Sequence, residues 1–312
     1  MPWSDRTKRR LKLRDLDILM AVIEAGSMGK AAKRLNTSQP AISKAIVELE
    51  DALGVKLVDR SRRGIEPTPY GLALQKRGIS IFNDLRQGVQ DIDFLSDPTK
   101  GEIRLGATEP VMTAIVSPVM DGLSRKYPQM KFYFLSGDTG SLYRDVANRN
   151  IEFAICRMIG RLPDEAEAEV LFRDSVAIMT AANNPLVRRR NLTLEDVLQE
   201  PWLSFPYDSF FGSMIGDIFR KNGVEPPQLT ISTLSVHAQN EMLATGRFLT
   251  VLPSFVLKLP GGHPPLKAVP VALHNPPAPI GLITPKNRTL TPVVQMFIDG
   301  IRSRVKVLNK PK

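Results

Sequence analysis

The chain has 312 residues, a length that allows more than one domain with its own hydrophobic core. Its 42 Lys and Arg outnumber its 32 Asp and Glu, and the formal net charge of +10 favours a polyanionic partner. A single cysteine argues against a disulfide scaffold and for a reducing compartment. The sequence has neither a signal-peptide segment nor a run of about 20 apolar residues that could span a bilayer. We therefore expect a cytoplasmic protein without a membrane partner.

The basic charge is concentrated near the N-terminus. Residues 1–77 contain 16 of the Lys and Arg and 9 of the Asp and Glu, a net charge of +7, which leaves +3 for the other 235 residues. The densest basic runs are 7–14 and 60–64. A basic run alone usually marks only a solvated surface. A concentration of this kind at one end of a chain is typical of phosphate contacts in nucleic-acid binding.

Residues 26–50 predict two short helices joined by a tight turn. The apolar face of the first helix follows the i, i+3, i+4, i+7 pattern and consists of Met28, Ala31, Ala32 and Leu35. Asn36 tolerates the left-handed backbone of a turn, and Ser38 is a good N-cap for the second helix. A preceding helix over residues 13–23 supplies a third packing wall.

The second helix of the pair has an apolar inner face and a polar outer face. The inner face consists of Ile42, Ile46, Leu49 and Leu53, and Gly54 ends the helix. The outer face near the helix start consists of Gln39, Pro40, Ser43, Lys44 and Val47. Amide, hydroxyl and ammonium groups at these positions suit contacts to base edges in a DNA groove. The alternative is a three-helix unit without a ligand.

Short motifs continue without a gap through the first seventy residues. They are Gly26-Ser27, Ala31-Ala32-Lys33-Arg34-Leu35, Ser38-Gln39-Pro40-Ala41-Ile42-Ser43, Leu49-Glu50, Leu53-Gly54, Leu57-Val58-Asp59-Arg60 and Thr68-Pro69-Tyr70-Gly71. This set resembles the winged helix-turn-helix of LysR-type transcriptional regulators, and the chain length and the order of the remaining parts are similar to that family. Met28 and Gly29 depart from it, since the family more often has an aromatic and a hydroxyl residue there.

The resemblance implies a winged helix-turn-helix DNA-binding domain over residues 1–68. It assigns base reading to the start of the second helix and minor-groove or phosphate contacts to the wing that Gly64 allows to turn. The DNA-binding residues implied in this way are Gln39, Pro40, Ser43, Lys44, Arg60, Arg62 and Arg63. Lys44 replaces a frequent Arg and lacks its planar fork, so we expect less geometric discrimination at that base pair.

Residues 69–96 predict one long helix with a narrow apolar stripe. The stripe consists of Leu72, Ile79, Phe82, Leu85, Val89 and Ile92. A helix of this length spans about 40 Å, and so thin a stripe favours pairing with the same helix of a second chain. The alternative is a helix packed on its own domain, which Gly78 in its middle favours. The resemblance implies a linker helix that pairs two DNA-binding domains on a two-fold symmetric operator, in a homotetramer built as a dimer of dimers.

Residues 96–101 predict a domain boundary, after which strands and helices alternate. The predicted strands are 103–107, 131–135, 151–155, 176–180, 203–205, 229–232, 248–252, 269–272 and 280–284, followed by a closing helix over 292–305. This alternation predicts an α/β fold with a parallel sheet. The resemblance implies an effector-binding domain over residues 97–312 with two lobes, similar to periplasmic solute-binding proteins. The first lobe then takes about 100–168 and 273–305, and the second about 169–272.

Ligands of open α/β sheets bind at the carboxyl ends of the strands, where helix N-termini offer free N–H groups. The candidate ligand-binding residues at these ends are Thr108, Glu109, Thr139, Arg157, Ser204, Thr233 and Ser235. Each Ser or Thr is equally well explained as an ordinary helix N-cap. Arg157 could bind a ligand carboxylate or phosphate in bidentate fashion, or form a salt bridge to Glu109 or Asp138. Five aromatic residues between 202 and 211 could stack on a sugar or an aromatic acid, although core packing is their more usual role.

The sequence contains no pattern typical of an enzyme. It lacks a glycine-rich phosphate loop, a Gly-x-Ser-x-Gly elbow and any zinc-ligand spacing. Cys156 lies in an apolar run, which predicts a buried reduced thiol. We expect no catalytic residue, no cofactor and no metal.

The sequence therefore predicts a bacterial, sequence-specific transcriptional regulator. A small-molecule effector, a sugar or an organic acid, would switch it by binding between the lobes, and contact with RNA polymerase is one route to activation. Two alternatives stay open at this stage. One is an architectural DNA-binding protein that no effector switches, and the other is a cytoplasmic solute-binding α/β protein whose basic N-terminus is incidental.

Overall fold

A computed structural model of the protein describes residues 11–61, 64–97, 100–258 and 265–308. These residues form two compact units, one built on residues up to Val89 and the other on most residues from Gln90 onward. Within the described ranges, no helix combines the length and the apolar character that a bilayer crossing requires.

The first unit consists of three packed helices and a β-hairpin, followed by a long helix. Its elements are α1 (Leu13–Ala25), α2 (Met28–Arg34), α3 (Gln39–Leu53), β1 (Val58–Ser61), β2 (Gly64–Pro67) and α4 (Pro69–Ser96). The predicted inner-face residues that are buried are Met28, Ala31, Ala32, Ile42, Ile46 and Leu49. Leu35 and Leu53 are partly buried against the same core. The predicted helix pair and its inner faces are therefore confirmed.

The turn between α2 and α3 has the predicted local chemistry. Asn36 has a φ of 48°, in the left-handed region. The Ser38 hydroxyl accepts a hydrogen bond from the Ala41 backbone N–H at 3.4 Å and caps α3. Gly54 has a φ of 69° and ends the helix. These caps fix both ends of α3 relative to the core.

Helix α4 is tied to the base of the hairpin at its first turn. The Thr68 hydroxyl donates to the Lys56 carbonyl at 2.7 Å and accepts from the Gly71 backbone N–H at 3.1 Å. A Cβ atom on Gly71 would lie 2.0 Å from the Leu57 carbonyl oxygen, so only glycine fits this contact. The Thr-x-x-Gly pattern at the start of α4 thus has a steric cause.

The two halves of α4 differ in their environment. In the first half, Leu74 packs against the core of the first unit, and the Met20 sulfur lies where a side chain on Gly78 would be. In the second half, Leu85, Val89, Ile92 and Leu95 are between 47% and 76% exposed. Packing on its own domain, the alternative interpretation of this segment, therefore fits the first half, whereas these four apolar side chains of the second half are exposed.

The second unit alternates strands and helices. In chain order it contains β3 (Lys100–Ala107), α5 (Glu109–Val111), a π-helical turn (Met112–Val116), α6 (Ser117–Lys126), β4 (Gln129–Ser136), α7 (Thr139–Ala147), β5 (Phe153–Arg157), β6 (Ala166–Asp174), β7 (Val176–Ala181), a 3-10 turn (Pro185–Arg188), α8 (Leu194–Leu198), β8 (Trp202–Ser204), α9 (Phe210–Lys221), β9 (Leu229–Ser232), α10 (Val236–Ala244), β10 (Thr250–Pro253), a 3-10 turn (Ser254–Lys258), β11 (Leu266–Ala268), β12 (Ala278–Pro285) and α11 (Pro292–Leu308).

The first sheet of this unit has the order β4-β3-β5-β12-β6. Strands β3, β4 and β5 are parallel, whereas β12 is antiparallel to both β5 and β6. The prediction of a parallel sheet is therefore correct for three strands and wrong for β12. The start of β12 pairs with the end of β5, because the chain returns from the second lobe at the carboxyl edge of the first sheet.

The second lobe is built on strands β7 to β11. Strand β7 pairs antiparallel with β10 and β11, while β8 and β9 are parallel, and Trp202 is bridged to Leu249 just before β10. Strand β6 pairs with β12 along its length, so the chain leaves the first sheet at Ser175 and not near residue 168 as predicted. The predicted strand over 269–272 is replaced by β11 at Leu266–Ala268.

Candidate functional site

The outer face of α3 near its start carries the predicted polar side chains. Gln39, Pro40 and Lys44 are exposed and Ser43 is half-buried, while Ile42 and Ile46 on the opposite face are buried. The Ser38 cap and the buried face together orient this row away from the core. The row offers amide, hydroxyl and ammonium groups to a molecule lying along the helix.

Lys44 pairs with Glu48 on this face. Its ammonium lies 3.8 Å from a Glu48 carboxylate oxygen, and both side chains are more than 60% exposed. An exposed pair of this kind contributes about 0–1 kcal/mol. Lys44 can therefore exchange Glu48 for another acceptor at little cost.

The predicted wing is the hairpin of β1 and β2, in which Ser61 pairs with Gly64. A Cβ atom on Gly64, whose φ is 128°, would lie 2.8 Å from the Gly26 carbonyl oxygen, so glycine allows the hairpin to approach the end of α1. The Ile65 backbone N–H donates to the same carbonyl at 2.9 Å. The predicted wing residues Arg62 and Arg63, and the side chain of Arg60, lie outside the described residues.

A buried carboxylate that sequence reasoning missed holds the base of the wing. Glu50 is 5% exposed and accepts hydrogen bonds from the backbone N–H groups of Leu57 at 2.9 Å and Val58 at 3.3 Å, and from Lys56 Nζ at 2.6 Å. Burial alone would raise the pKa of Glu50, but these hydrogen bonds and the charge of Lys56 outweigh it and lower the pKa below its ordinary value. A Glu on the otherwise apolar inner side of α3 is the signal that could have revealed this role.

In the second unit, the carboxyl ends of β3, β4 and β5 bring several candidate ligand residues together. The Thr108 backbone N–H donates to the Ile155 carbonyl at 3.3 Å. The Ser136 hydroxyl donates to Glu109 Oε2 at 2.5 Å, and the buried Thr139 hydroxyl donates to the Arg157 carbonyl at 3.0 Å. The first-lobe candidates thus lie at one sheet edge.

Arg157 is paired with a residue that was not predicted. Its Nη1 donates to the Asp174 carbonyl at 2.7 Å, and its Nη2 lies 3.2 Å from Asp174 Oδ2 and 3.5 Å from the Ser175 carbonyl. The alternative salt bridge to Glu109 or Asp138 is therefore wrong. Strands β5 and β6 both run antiparallel to β12, so their carboxyl ends lie at the same edge and bring Asp174 within reach.

The Arg157–Asp174 pair is buried, with side-chain exposures of 7% and 11%. Burial lowers the pKa of Arg157, an effect that Asp174 opposes. Burial also raises the pKa of Asp174, against the charge of Arg157 and the backbone N–H groups of Ser254 and Phe255. The pair joins the end of β5 to the end of β6, next to Ser175, where the chain crosses into the second lobe.

The second lobe contributes Ser204, Thr233 and Ser235 at the ends of β8 and β9. The Thr233 backbone N–H donates to the Ser204 carbonyl at 3.1 Å, and the Ser235 N–H donates to the Thr233 hydroxyl at 3.0 Å. Ser235 also caps α10 by accepting from the Ala238 N–H at 3.3 Å, which is the ordinary N-cap role. Ser204 is 2% exposed, and its hydroxyl has no hydrogen-bond partner within the described part of the chain.

The aromatic residues of this lobe divide into packed and exposed members. Trp202 is buried and meets Phe219 edge to face at 5.5 Å, and Phe205 meets Phe211 in the same way at 5.6 Å. Core packing is therefore the role of these rings. Phe210 differs, because it is 36% exposed and its ring lies 3.5–3.7 Å from where a Cβ on Gly140 or Gly160 of the first lobe would be. Phe210 thus spans from the second lobe to the first.

Two other kinds of site in this unit would be a reactive thiol and a metal centre. Cys156 is a buried free thiol as predicted, and burial raises its pKa to about 12, so it is protonated at neutral pH. Among the described residues, no group of three or more His, Cys, Asp or Glu side chains could hold a metal ion.

A winged helix-turn-helix joined to a two-lobed α/β unit with polar groups at its strand ends defines a ligand-responsive DNA-binding regulator. Residues 13–72 match the bacterial regulatory helix-turn-helix family of LysR type, and residues 96–306 match the LysR substrate binding domain. The chain therefore belongs to the LysR family of transcriptional regulators, with a DNA-binding helix-turn-helix and an effector-binding domain.

Known relatives cover nearly the whole chain. The regulator GbpR of Azospirillum brasilense is 28% identical over 302 residues, 95% of this chain and 87% of GbpR. The transcriptional dual regulator GltC of Bacillus subtilis (strain 168) is 25% identical over 300 residues, 93% of this chain and 96% of GltC. Full-length CbnR in complex with its target DNA has the same fold, with a TM-score of 0.65, 20% identity and coverage of 94% of this chain and 100% of CbnR. These relatives are regulators, which agrees with the expectation that the chain is not an enzyme.

Proposed function

We propose that α3 enters the major groove of DNA and reads base edges with Gln39, Pro40, Ser43 and Lys44. The observation that carries this proposal is the outward row of polar side chains on a helix whose opposite face is buried. The wing residues Arg60, Arg62 and Arg63 would contact phosphates or the minor groove beside it. A regulator of this kind acts on DNA in the cytoplasm of a bacterium.

Replacing Ser43 and Lys44 together by alanine tests the recognition helix. We expect operator preference over random DNA to fall by about 30-fold or more, since each base contact contributes about 1–3 kcal/mol to discrimination. Footprinting on the DNA upstream of the protein's own gene gives the operator and the measurement. The matched control replaces the exposed Lys76 and the half-buried Ser80 of α4, the same residue types as the tested pair, and should leave the footprint intact. Unchanged sequence preference in the double variant would refute the assignment.

We also propose that two chains pair through the second half of α4, so that two DNA-binding domains meet a two-fold symmetric operator. The exposed stripe of Leu85, Val89, Ile92 and Leu95 supports this pairing, because apolar residues at this spacing suit a helix–helix seam. Two such dimers would form the homotetramer.

Replacing Val89 and Ile92 by glutamate tests the seam. We expect the dissociation constant of the dimer to rise by about 100-fold or more, since burial of each such side chain contributes about 1.5–3 kcal/mol. Sedimentation velocity at several protein concentrations measures the change. Arg77→Glu, an exposed charge change on the first half of the same helix, is the control. A variant that keeps the oligomeric mass of the wild type would show that the seam lies elsewhere.

We propose that a small effector binds between the lobes and shifts the population of their arrangements, which changes the spacing or angle of the paired DNA-binding domains. The proposed ligand residues are Thr108, Glu109, Thr139, Ser204, Thr233 and Ser235, and Arg157 positions the crossover beside them. Activation would then follow by exposing a promoter or contacting RNA polymerase. An architectural DNA-binding protein would instead give the same footprint with every small molecule tried.

A further inference from the structure

At the carboxyl edge of the first sheet lies a carboxylate, Glu109, of which one oxygen accepts a hydrogen bond from the protein. Glu109 is half-buried, and its Oε2 accepts the Ser136 hydroxyl at 2.5 Å. Over the described ranges of the chain, no Lys, Arg or His nitrogen lies within 4.0 Å of this carboxylate. Its other oxygen can therefore accept hydrogen bonds from a bound molecule.

The arginine at the same edge is already neutralised. Arg157 is 6% exposed, and its guanidinium donates to the Asp174 carboxylate and to the carbonyls of Asp174 and Ser175. An anionic ligand would have to compete with a buried carboxylate for this cation. We conclude that Arg157 holds the crossover and is not the anion receptor of the cleft.

Apart from the Asp138 carboxylate, which caps α7, the other candidate groups at these strand ends are uncharged. Thr108 is half-buried beside Glu109. Ser204 has a buried hydroxyl that finds no partner among the described residues, a position that usually indicates a ligand or water. Phe210 adds an exposed aromatic ring that reaches Gly140 and Gly160 across the lobes. The set combines a hydrogen-bond-accepting charge, hydroxyls and one apolar face.

We propose that the effector is rich in hydrogen-bond donors and carries no negative charge, as a polyol, a neutral sugar or an amine does. A hydroxyl or ammonium of this effector donates to the free oxygen of Glu109, and Phe210 covers its apolar side. An organic acid places its carboxylate beside Glu109 and binds more weakly. This inference rests on the proposed effector cleft.

Arg144 is a second place where an anionic ligand could bind. Arg144 is exposed on α7, and its Nη1 lies 3.7 Å from where a Cβ on Gly140 would be, close to Phe210. An acid could bind there without reaching Glu109. The experiment therefore includes Arg144→Ala.

The test measures melting temperatures and dissociation constants of the full chain with ligands matched in carbon skeleton and different in charge. The probes are neutral hexoses and pentitols, the corresponding amino sugars, and the corresponding uronic and aldonic acids. We expect a neutral or amine probe to bind wild type at least tenfold more tightly than the acid of the same skeleton. Glu109→Gln should reduce that ratio at least tenfold, because the amide keeps the shape and removes the repulsion.

Matched variants distinguish a wrong ligand class from a wrong binding site. Asp138→Asn changes a carboxylate at the neighbouring strand end, where it caps α7 by accepting from the Ser141 N–H at 2.8 Å, and should leave the ratio unchanged. If an acid binds more tightly than its neutral analogue, and Arg144→Ala abolishes that binding, the effector cleft stands and the inferred ligand class is wrong. If no probe of any charge shifts the melting temperature, both the class and the proposed cleft fail. Far-ultraviolet circular dichroism confirms that each variant is folded.

Discussion

Replacing Arg157 by methionine is expected to lower the free energy of unfolding of the second unit by about 3–5 kcal/mol. The variant leaves the Asp174 carboxylate buried, at 11% side-chain exposure, without its cation. Denaturant unfolding of the full chain, followed by the fluorescence of the buried Trp202, measures the change. The crossover next to Asp174 should loosen as well, so amide exchange at Ser175 and Val176 is expected to accelerate.

The chain offers a matched control for this prediction. The Arg161–Asp164 pair has the same nitrogen–oxygen distance of 3.2 Å, but its side chains are 85% and 84% exposed. Arg161→Met should therefore change stability by no more than about 1 kcal/mol. Replacing Arg157 by methionine and Asp174 by leucine together should recover most of the loss, because neither charge is then left buried. Equal effects of Arg157→Met and Arg161→Met would show that burial does not govern this pair.

The helix-turn-helix is the part of the fold that the sequence predicts best, because its signals are local. The Ser38 cap, the left-handed Asn36 and the apolar spacing of Ile42, Ile46 and Leu49 all act within a few residues of where they stand in the chain. Glu50 was missed because its partners, the N–H groups of Leu57 and Val58, come from the hairpin. A pattern within one helix cannot show such a contact.

The second unit is less predictable because its strands pair across long sequence distances. Strand β6 was missed, since its alternating start has only small alanines as apolar residues, which favour strands weakly, and most of its side chains are exposed at the sheet edge. The helical segment after β3 contains a π-helical turn just before Pro118, which has no N–H to donate to the Ala114 carbonyl; that carbonyl accepts from Arg304 Nε at 3.4 Å instead.

In the candidate ligand site, too, local features were predicted and contacts between distant parts of the chain were not. The ends of β3, β4, β8 and β9 were predicted to within one residue, because a polar residue after an apolar strand is a local signal, whereas β5 continues two residues beyond its predicted end. The partner of Arg157 was not predicted, since Asp174 lies two strands away in a sheet whose order the sequence does not reveal. The charge available to a ligand depends on that partner, and so the ligand class could only be inferred from the structure.

Replacing Glu50 by leucine is expected to destabilise the first unit and to displace the wing. The backbone N–H groups of Leu57 and Val58 lose their acceptor, and each buried N–H left unsatisfied costs about 1–3 kcal/mol. Thermal unfolding of the full chain and operator affinity should both fall. Lys56→Met is the control, because the Lys56 side chain is 72% exposed and its removal should cost no more than about 1 kcal/mol.

The pH dependence of this effect follows from the lowered pKa of Glu50. Because the folded pKa lies below the ordinary value of 4.5, the ionised carboxylate contributes its full stabilisation above that value. The contribution is lost as the pH falls below 4.5 through the lowered folded pKa. We therefore expect the difference in unfolding free energy between wild type and Glu50→Gln, which keeps one acceptor oxygen but no charge, to be constant near neutral pH and to shrink in acid. A difference that grows as the pH falls would mean that Glu50 is protonated in the folded protein and that its hydrogen bonds do not hold the wing through charge.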